Sequence, residues 1–493
     1  MNKILVIIII ATLSIPTVLG TSPFFNGKEN YTNEVNLVDD YDPFVDITVT
    51  VEIKTIRLLE KEESSDIFPI KNQLFRDTFL DNSPSFYVKV SINEEDFTSN
   101  IWSDTKYVYT PDWNVTLNVP DDEELVNIKI QLLDSENNNA YCDISPDDGE
   151  SEEGRNVEIL YDIKTGHWIL DDELEDYSGY GRLSGTDDGT IYENDFDCEL
   201  WFYIYQNDAD GDMIPYWSEV YLLGTDPQID DILLDPDNDD IPTYWEWKWG
   251  YDPLSWNDHK NLDPDNDSIN NYEEYLTSEW FSDPYRKDVF VEMDKMADGP
   301  NGEITYFPVE AKELIQTAFN RQNIVYHLDM GEMGGYDIVP FDRDIRRGDL
   351  NDIYVNYFLH NDENNWRRGV FHYGLVVYYE EPPGYIFRSN AFQIASAGME
   401  DKLKYFFLDR DIVYGSAYMH ELGHTFAFNP IPGHDFFSKY PWQLGFWKNR
   451  PYKSCMNYGW MYKFVDYSDG SGRSPDIDDW ERINYHAFEH EWG

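Results

Sequence analysis

The chain has 493 residues, a net charge of -60, 41% hydrophobic and 16% aromatic residues. That apolar share is enough for several packed cores and argues against a disordered chain. The charge repels phosphate backbones, so no nucleic acid is expected as a partner, and it calls for bound cations, a salty medium, or both.

Lys3, the apolar run 4–13 and Val18-Leu19-Gly20 read as a signal peptide over residues 1–20. The run is shorter than the about 18 residues of a membrane span, and no later run is long enough to cross a bilayer. The mature chain is therefore expected to be secreted and soluble, with no membrane span. Residues 21–43 form a polar leader. Residues 44–207 alternate with period two at 46–53, 86–92, 125–132 and 200–205, with turns rich in Asp, Asn and Gly between. This predicts an N-terminal all-β sandwich of the antiparallel kind. Its acidic loop Ser145-Pro146-Asp147-Asp148-Gly149 resembles those of calcium- and lipid-binding sandwich domains; the plainer reading is a structural or substrate-docking domain. Of three cysteines, Cys142 and Cys198 fall in this domain and could pair, which leaves Cys455 as a small buried residue. Asn30, Asn114 and Asn266 head glycosylation sequons.

Residues 208–284 are a repeat. Asp208, Asp210 and Asp212 precede Glu219; Asp235, Asp237 and Asp239 precede Glu246; Asp263, Asp265 and Asp267 precede Glu274. Carboxylates thus stand at positions 1, 3, 5 and 12 of each loop, as in an EF-hand, where alternate residues of a tight loop supply a calcium ion with hard oxygens. Met213, Asp240 and Ser268 replace the EF-hand glycine at position 6. The segment more closely resembles the calcium repeats of thrombospondin type 3. About three structural calcium ions in a stiff connector are expected.

Residues 285–493 carry the chemistry. Strands are predicted at 288–293, 324–328, 354–359 and 369–379, and helices at 309–321 and 412–428. The last helix contains His420-Glu421-Leu422-Gly423-His424. Histidines four apart lie on one helical face and can reach one zinc ion; the glutamate between them can take a proton from a water held there. Hydrolytic zinc takes a third protein ligand. His434 or its neighbour Asp435 can supply it, because Asn429-Pro430-Ile431-Pro432-Gly433 lets the chain turn back. His372, on a predicted strand, is more often structural in such a place. His486-Ala487-Phe488-Glu489-His490 spells an inverted motif but reads as a C-terminal helix with surface histidines.

From His420 to Tyr458 the sequence resembles the metzincin zinc metalloproteases. Met456 in Ser454-Cys455-Met456-Asn457-Tyr458 matches the methionine beneath their metal ligands, and Tyr458 the tyrosine beside the zinc. Ala427 and Pro430 stand where the long metzincin motif has glycine and histidine, so the loop to the third ligand is longer here. The resemblance implies an α+β zincin domain and a secreted zinc metalloendopeptidase acting on a protein or peptide substrate. Glu421 is then the general base and Tyr458 a stabiliser of the oxyanion. A rival expectation is a non-catalytic, calcium-dependent adhesion protein with a degenerate zincin domain.

Overall fold

The computed structural model describes residues 47–59, 83–146, 155–170, 181–188, 196–406 and 408–488. The predicted signal peptide, the leader, Asn30, Asp147, Asp148, Gly149, Glu489 and His490 lie outside the described residues. No helix among the described residues is long and apolar enough to cross a membrane.

Among the described residues, eleven strands build the first domain: β1 (Thr48–Leu58), β2 (Phe86–Ile92), β3 (Glu95–Thr98), β4 (Tyr107–Val108), β5 (Trp113–Asn118), β6 (Leu125–Asp134), β7 (Ala140–Cys142), β8 (Val157–Asp162), β9 (Trp168–Leu170), β10 (Gly181–Ser184) and β11 (Cys198–Gln206). One sheet runs β10-β11-β1-β4, with β5 also on β1; the other runs β3-β2-β6-β8-β9, with β7 on β6. Every pairing between these strands is antiparallel, with one isolated parallel bridge between Asp143 and Asp197. The inner faces share one core, with Val49, Val51 and Leu200 against Val88, Val90 and Ile130, which is the expected sandwich. Strand β1 outruns its predicted length because a register shift between Ile53 and Thr55 returns Ile56 and Leu58 to the core side. Cys142 and Cys198 lie in side-chain contact, both as buried free thiols.

Each acidic loop leads into a short helix: α1 (Tyr216–Ser218, continued by a wide turn over Glu219–Leu223), α2 (Thr243–Lys248) and α3 (Asn271–Thr277). Ile214, Ile241 and Ile269, two residues past the third aspartate, are buried and anchor the loops.

The last domain is a mostly parallel sheet of β12 (Asp288–Met296), β13 (Val325–Asp329), β14 (Ile338–Val339), β15 (Phe371–Val377), β16 (Gly384–Arg388) and β17 (Ala391–Ala395). Its order is β13-β12-β15-β17-β16, with β14 also on β12; only β16, at the edge, pairs antiparallel among the described strands. Helices α4 (Val309–Asn320), α5 (Arg347–Ile353), α6 (Arg367–Val370), α7 (Ser396–Phe406), α8 (Arg410–Thr425) and α9 (Leu444–Asn449) accompany it. Parallel strands need cover on both faces. Phe319, Val413, Ala417 and Leu422 from α4 and α8 pack with Val291 and Met293 on one face. Leu350, Tyr354 and Phe358 pack with Phe290 and Tyr373 on the other. Tyr354–Phe358 corrects the predicted strand at 354–359: it is a wide helical turn, closed by Leu359 N–H donating to Tyr354 O at 3.0 Å. Tyr354 and Phe358 are both buried and four apart, which is helical spacing.

The repeats do not hold the outer domains apart. Arg57 of β1 pairs with Glu313 of α4 at 2.9 Å, and Arg182 of β10 donates to Asn320 O at 2.8 Å. Glu199 of β11 binds both arginines and accepts from Asn320 Nδ2 at 2.9 Å. All five residues are buried.

Candidate metal and catalytic site

Helix α8 places the histidines. Asp409 caps it, accepting from Asp411 N–H at 2.9 Å, and Ala427 ends it in the left-handed region with φ 59°. His420 and Glu421 are buried and His424 is half-buried. The chain then returns as expected. Gly433 has φ 76°, and a side chain there would strike Asn457 Oδ1, so glycine is needed to bring His434 in. His434 Nε2 lies 3.2 Å from His420 Nε2. The ligand atoms of His420, His424 and His434 all fall within 4.8 Å of one another. Asp435 is turned away: its carboxylate accepts from Phe437 N–H at 2.7 Å and from Ser438 Oγ at 2.8 Å.

The turn at Ser454–Asn457 sets the tautomer of His420. Its Nδ1 is 2.8 Å from Cys455 O, and a carbonyl can only accept, so Nδ1 carries the proton and the Nε2 lone pair faces the cluster. Met456 is fully buried against Gly423, where a Cβ would stand 2.5 Å from its sulfur. The glycine of the motif thus gives the methionine its place under the helix. Burial pushes His420 well below the ordinary imidazole range and His424 down to about 4, and it lowers His434; neighbouring imidazoles add to the first two. Neutral rings keep their lone pairs for a cation, and three imidazoles are a donor set that can hold a zinc-class ion.

Glu421 stands beside this cluster with its pKa pushed up to about 8 by burial. A carboxyl poised near neutrality suits both proton uptake and proton return. Tyr458 is half-buried, stacks on His420 at 5.6 Å and lies tilted at 38° against His434 at 4.3 Å between ring centres; burial, with Glu421 nearby, raises its phenol. Sequence reading missed two neighbours of Glu421. Tyr462, whose phenol is raised by burial first and then by the same carboxyl, is one. Gly384, which opens the edge strand β16 against Glu421, is the other. Neither lies in a local motif. Past His434 comes an apolar lip, with Phe436 at 73%, Trp442 at 78% and Leu444 at 90% exposure. His372 stays out of the cluster, its Nδ1 2.9 Å from Thr425 Oγ1. His486 lies on a 3₁₀ turn, Tyr485–Phe488, with Nδ1 2.7 Å from Ser268 Oγ.

The acidic loops are built alike. Oδ2 of Asp208, Asp235 and Asp263 accepts the position-6 N–H at 2.8, 3.1 and 3.0 Å. Oδ1 of Asp212, Asp239 and Asp267 accepts the N–H two residues on, at 2.9, 2.9 and 2.8 Å. Met213, Asp240 and Ser268 have φ of 71°, 81° and 77°, so position 6 is left-handed without its glycine. The three aspartates of each loop bring oxygens within 4.8 Å of one another. Both oxygens of Asp210 and Asp237, with Asp212 Oδ2, Glu246 Oε2, Asp265 Oδ2 and Glu274 Oε1, are buried with no hydrogen-bond donor. Burial first, and then neighbouring carboxylates, push Asp212 up to about 7, Glu219 to about 8 and Asp265 to about 11.

No family model matches the sequence. No curated protein matches it either. Among solved structures, it is similar to the SMP and paired C2 domains of extended synaptotagmin 2, at 10% identity over 33% of this chain and 28% of that one, with a TM-score of 0.18. It is also similar to a C2 domain of plant extended synaptotagmin 1, at 10% identity over 32% and 94%, with a TM-score of 0.19. A third is human GIVD cytosolic phospholipase A2, at 12% identity over 32% and 17%, with a TM-score of 0.15. Likeness this slight carries no conclusion for the chain's function.

Proposed function

We propose that the chain is a secreted zinc-dependent endopeptidase whose acidic loops hold calcium. The observation that carries this reading is the three-imidazole cluster, with the His420 tautomer set by Cys455 O and Glu421 alongside. His420, His424 and His434 would hold the zinc, which supplies a Lewis acid for the scissile carbonyl and for water. Strand β16 has one pairing partner among the described strands. Its other edge offers unpaired backbone groups to an extended peptide, which would lie past Glu421 as an added strand. Glu421 takes the proton from the attacking water and returns it to the leaving amine. Tyr458 donates its phenol to the developing oxyanion. The apolar lip beyond His434 favours peptides with a large apolar residue on that side of the bond.

Glu421→Ala tests the reading. Metal is held through imidazole nitrogens, so zinc should stay while kcat falls by about 10²–10⁴. Hydrolysis at the parent rate by that variant would take the chemistry away from Glu421, an equal rate from the parent with a chelator present would remove the zinc dependence, and no hydrolysis by the zinc-loaded parent would leave the adhesion alternative.

A further inference from the structure

The three acidic loops differ in what reaches them from the chain downstream. Asp231 comes to the first, in side-chain hydrogen-bonding contact with Asp212. Asp288 comes to the third, where its N–H donates to Asp267 Oδ2 at 2.7 Å. The residue that comes to the second is His259. It follows Asp235 by 24 residues, as Asp231 follows Asp208 by 23 and Asp288 follows Asp263 by 25. Its Nε2 lies 2.9 Å from Glu246 Oε1 and 3.0 Å from Asp239 Oδ2.

This imidazole is held in place. His259 is 2% exposed and stacks on Tyr251 at 4.5 Å and 13°. Its backbone N–H donates to Asn257 Oδ1 at 3.1 Å, and its backbone carbonyl accepts from Asn271 Nδ2 at 2.9 Å. Asp239 and Glu246 are buried beside it, and its nitrogen and their oxygens form a ligand group within 4.8 Å. The Nε2 position hydrogen-bonds Glu246 Oε1 alone, and Asp239 Oδ2 and the ring's own Nδ1 are buried without a hydrogen-bond partner. Glu246 Oε2 and both oxygens of Asp237 are likewise without a donor. A cation in the loop can take all of these oxygens together with the nitrogen.

We infer that the second loop is a mixed nitrogen–oxygen site for a transition-metal dication of the zinc class, held by His259 Nε2, Asp239, Glu246 and Asp237. Calcium takes oxygen ligands, whereas imidazole suits zinc and its neighbours. The flanking loops keep all-oxygen sets suited to calcium: Asp231 joins the first, and at the third Asp288 gives Asp267 only its N–H, its own carboxylate being held by His327 Nε2 and Asp283 N–H. The repeat then sorts two kinds of ion along one scaffold. This inference rests on the reading of the loops as cation sites.

The test uses the full chain, stripped with a chelator and re-equilibrated with Ca2+ and Zn2+ together, with bound metal counted by elemental mass spectrometry. His259→Asp gives the second loop the residue type of its neighbours and preserves the scaffold. The variant should hold one zinc fewer and one calcium more per chain than the parent. Glu246→Gln should weaken zinc retention at the same loop by at least about tenfold. Equal zinc in parent and His259→Asp overturns the inference, whether calcium rises, so that the imidazole was a built-in counter-charge, or stays the same. Calcium absent from the flanking loops as well would instead remove the reading of the loops as cation sites.

Discussion

Gly384→Ala adds one methyl group at the start of the edge strand, and its effect follows from the geometry. The new Cβ would collide with Glu421 Oε1 and lie 3.0 Å from Cδ and 3.2 Å from Cγ of the same side chain. Gly384 is not in the left-handed region, so the backbone accepts alanine, and the obstacle is the free end of a side chain that can swing. Stability should therefore change by less than about 1 kcal/mol. The carboxylate must retreat by about 1 Å to reach van der Waals distance. A displacement of that size costs about 10² in rate, or about 2.7 kcal/mol of barrier. The loss should fall in kcat, with zinc content unchanged, because the methyl group meets none of the three histidines. Steady-state kinetics on one peptide substrate, with metal analysis on the same sample, make the measurement. A variant within about threefold of the parent kcat, with zinc in place, would mean that Glu421 does not act from the position it occupies against β16.

His434→Ala should release most of the zinc and Asp435→Ala almost none, since Asp435 is spent on Phe437 and Ser438; metal analysis of the two variants decides, and the reverse order would unseat His434. Tyr458→Phe should cost less in kcat than Glu421→Ala on the same substrate, because the phenol aids a charge that zinc also meets; an equal or larger loss would make the tyrosine the principal proton carrier. Calcium removal should lower the melting temperature. With extracellular-type affinities of about 10⁻⁴ M and about 2 mM calcium, each occupied loop contributes about 1.8 kcal/mol. Two loops give roughly 3–4 kcal/mol, a fall of about 3–4 °C for a chain of this length melting as one unit. A scan unmoved by a calcium-selective chelator, with zinc kept, would show that the loops carry no ion.

Local patterns made part of this structure legible from sequence. The HExxH helix needs one face of one helix, and the acidic loops need alternate residues of one turn. Both signals are short, and both appear where expected. His434 was legible as one of two neighbours but not as the choice between them, because that depends on the turn aiming one side chain inward. The residues that complete the acidic loops were missed. Asp231, His259 and Asp288 arrive more than twenty residues after each loop begins, from irregular chain with no periodicity to read. The strand expected at 354–359 came from its β-favouring composition. There the preceding helix continues instead, since Tyr354 and Phe358 must reach the same side of the sheet. Gly384 is one of 30 glycines, and only the folded chain sets it against Glu421.

The buried clamp between the sandwich and α4 bears on how the molecule can be cut. Glu199 faces two arginines and Asn320 inside a buried contact. A fragment beginning after the repeats would keep Glu313 and Asn320 but lose Arg57, Arg182 and Glu199, and would open to water a face of α4 that is buried in the full chain. Within the full chain, removing one partner of such a buried pair costs about 3–5 kcal/mol, a large part of the net stability of a domain. The C-terminal half is thus not a cassette to be lifted out and expressed alone, and the two ends of the chain should melt in a single cooperative transition.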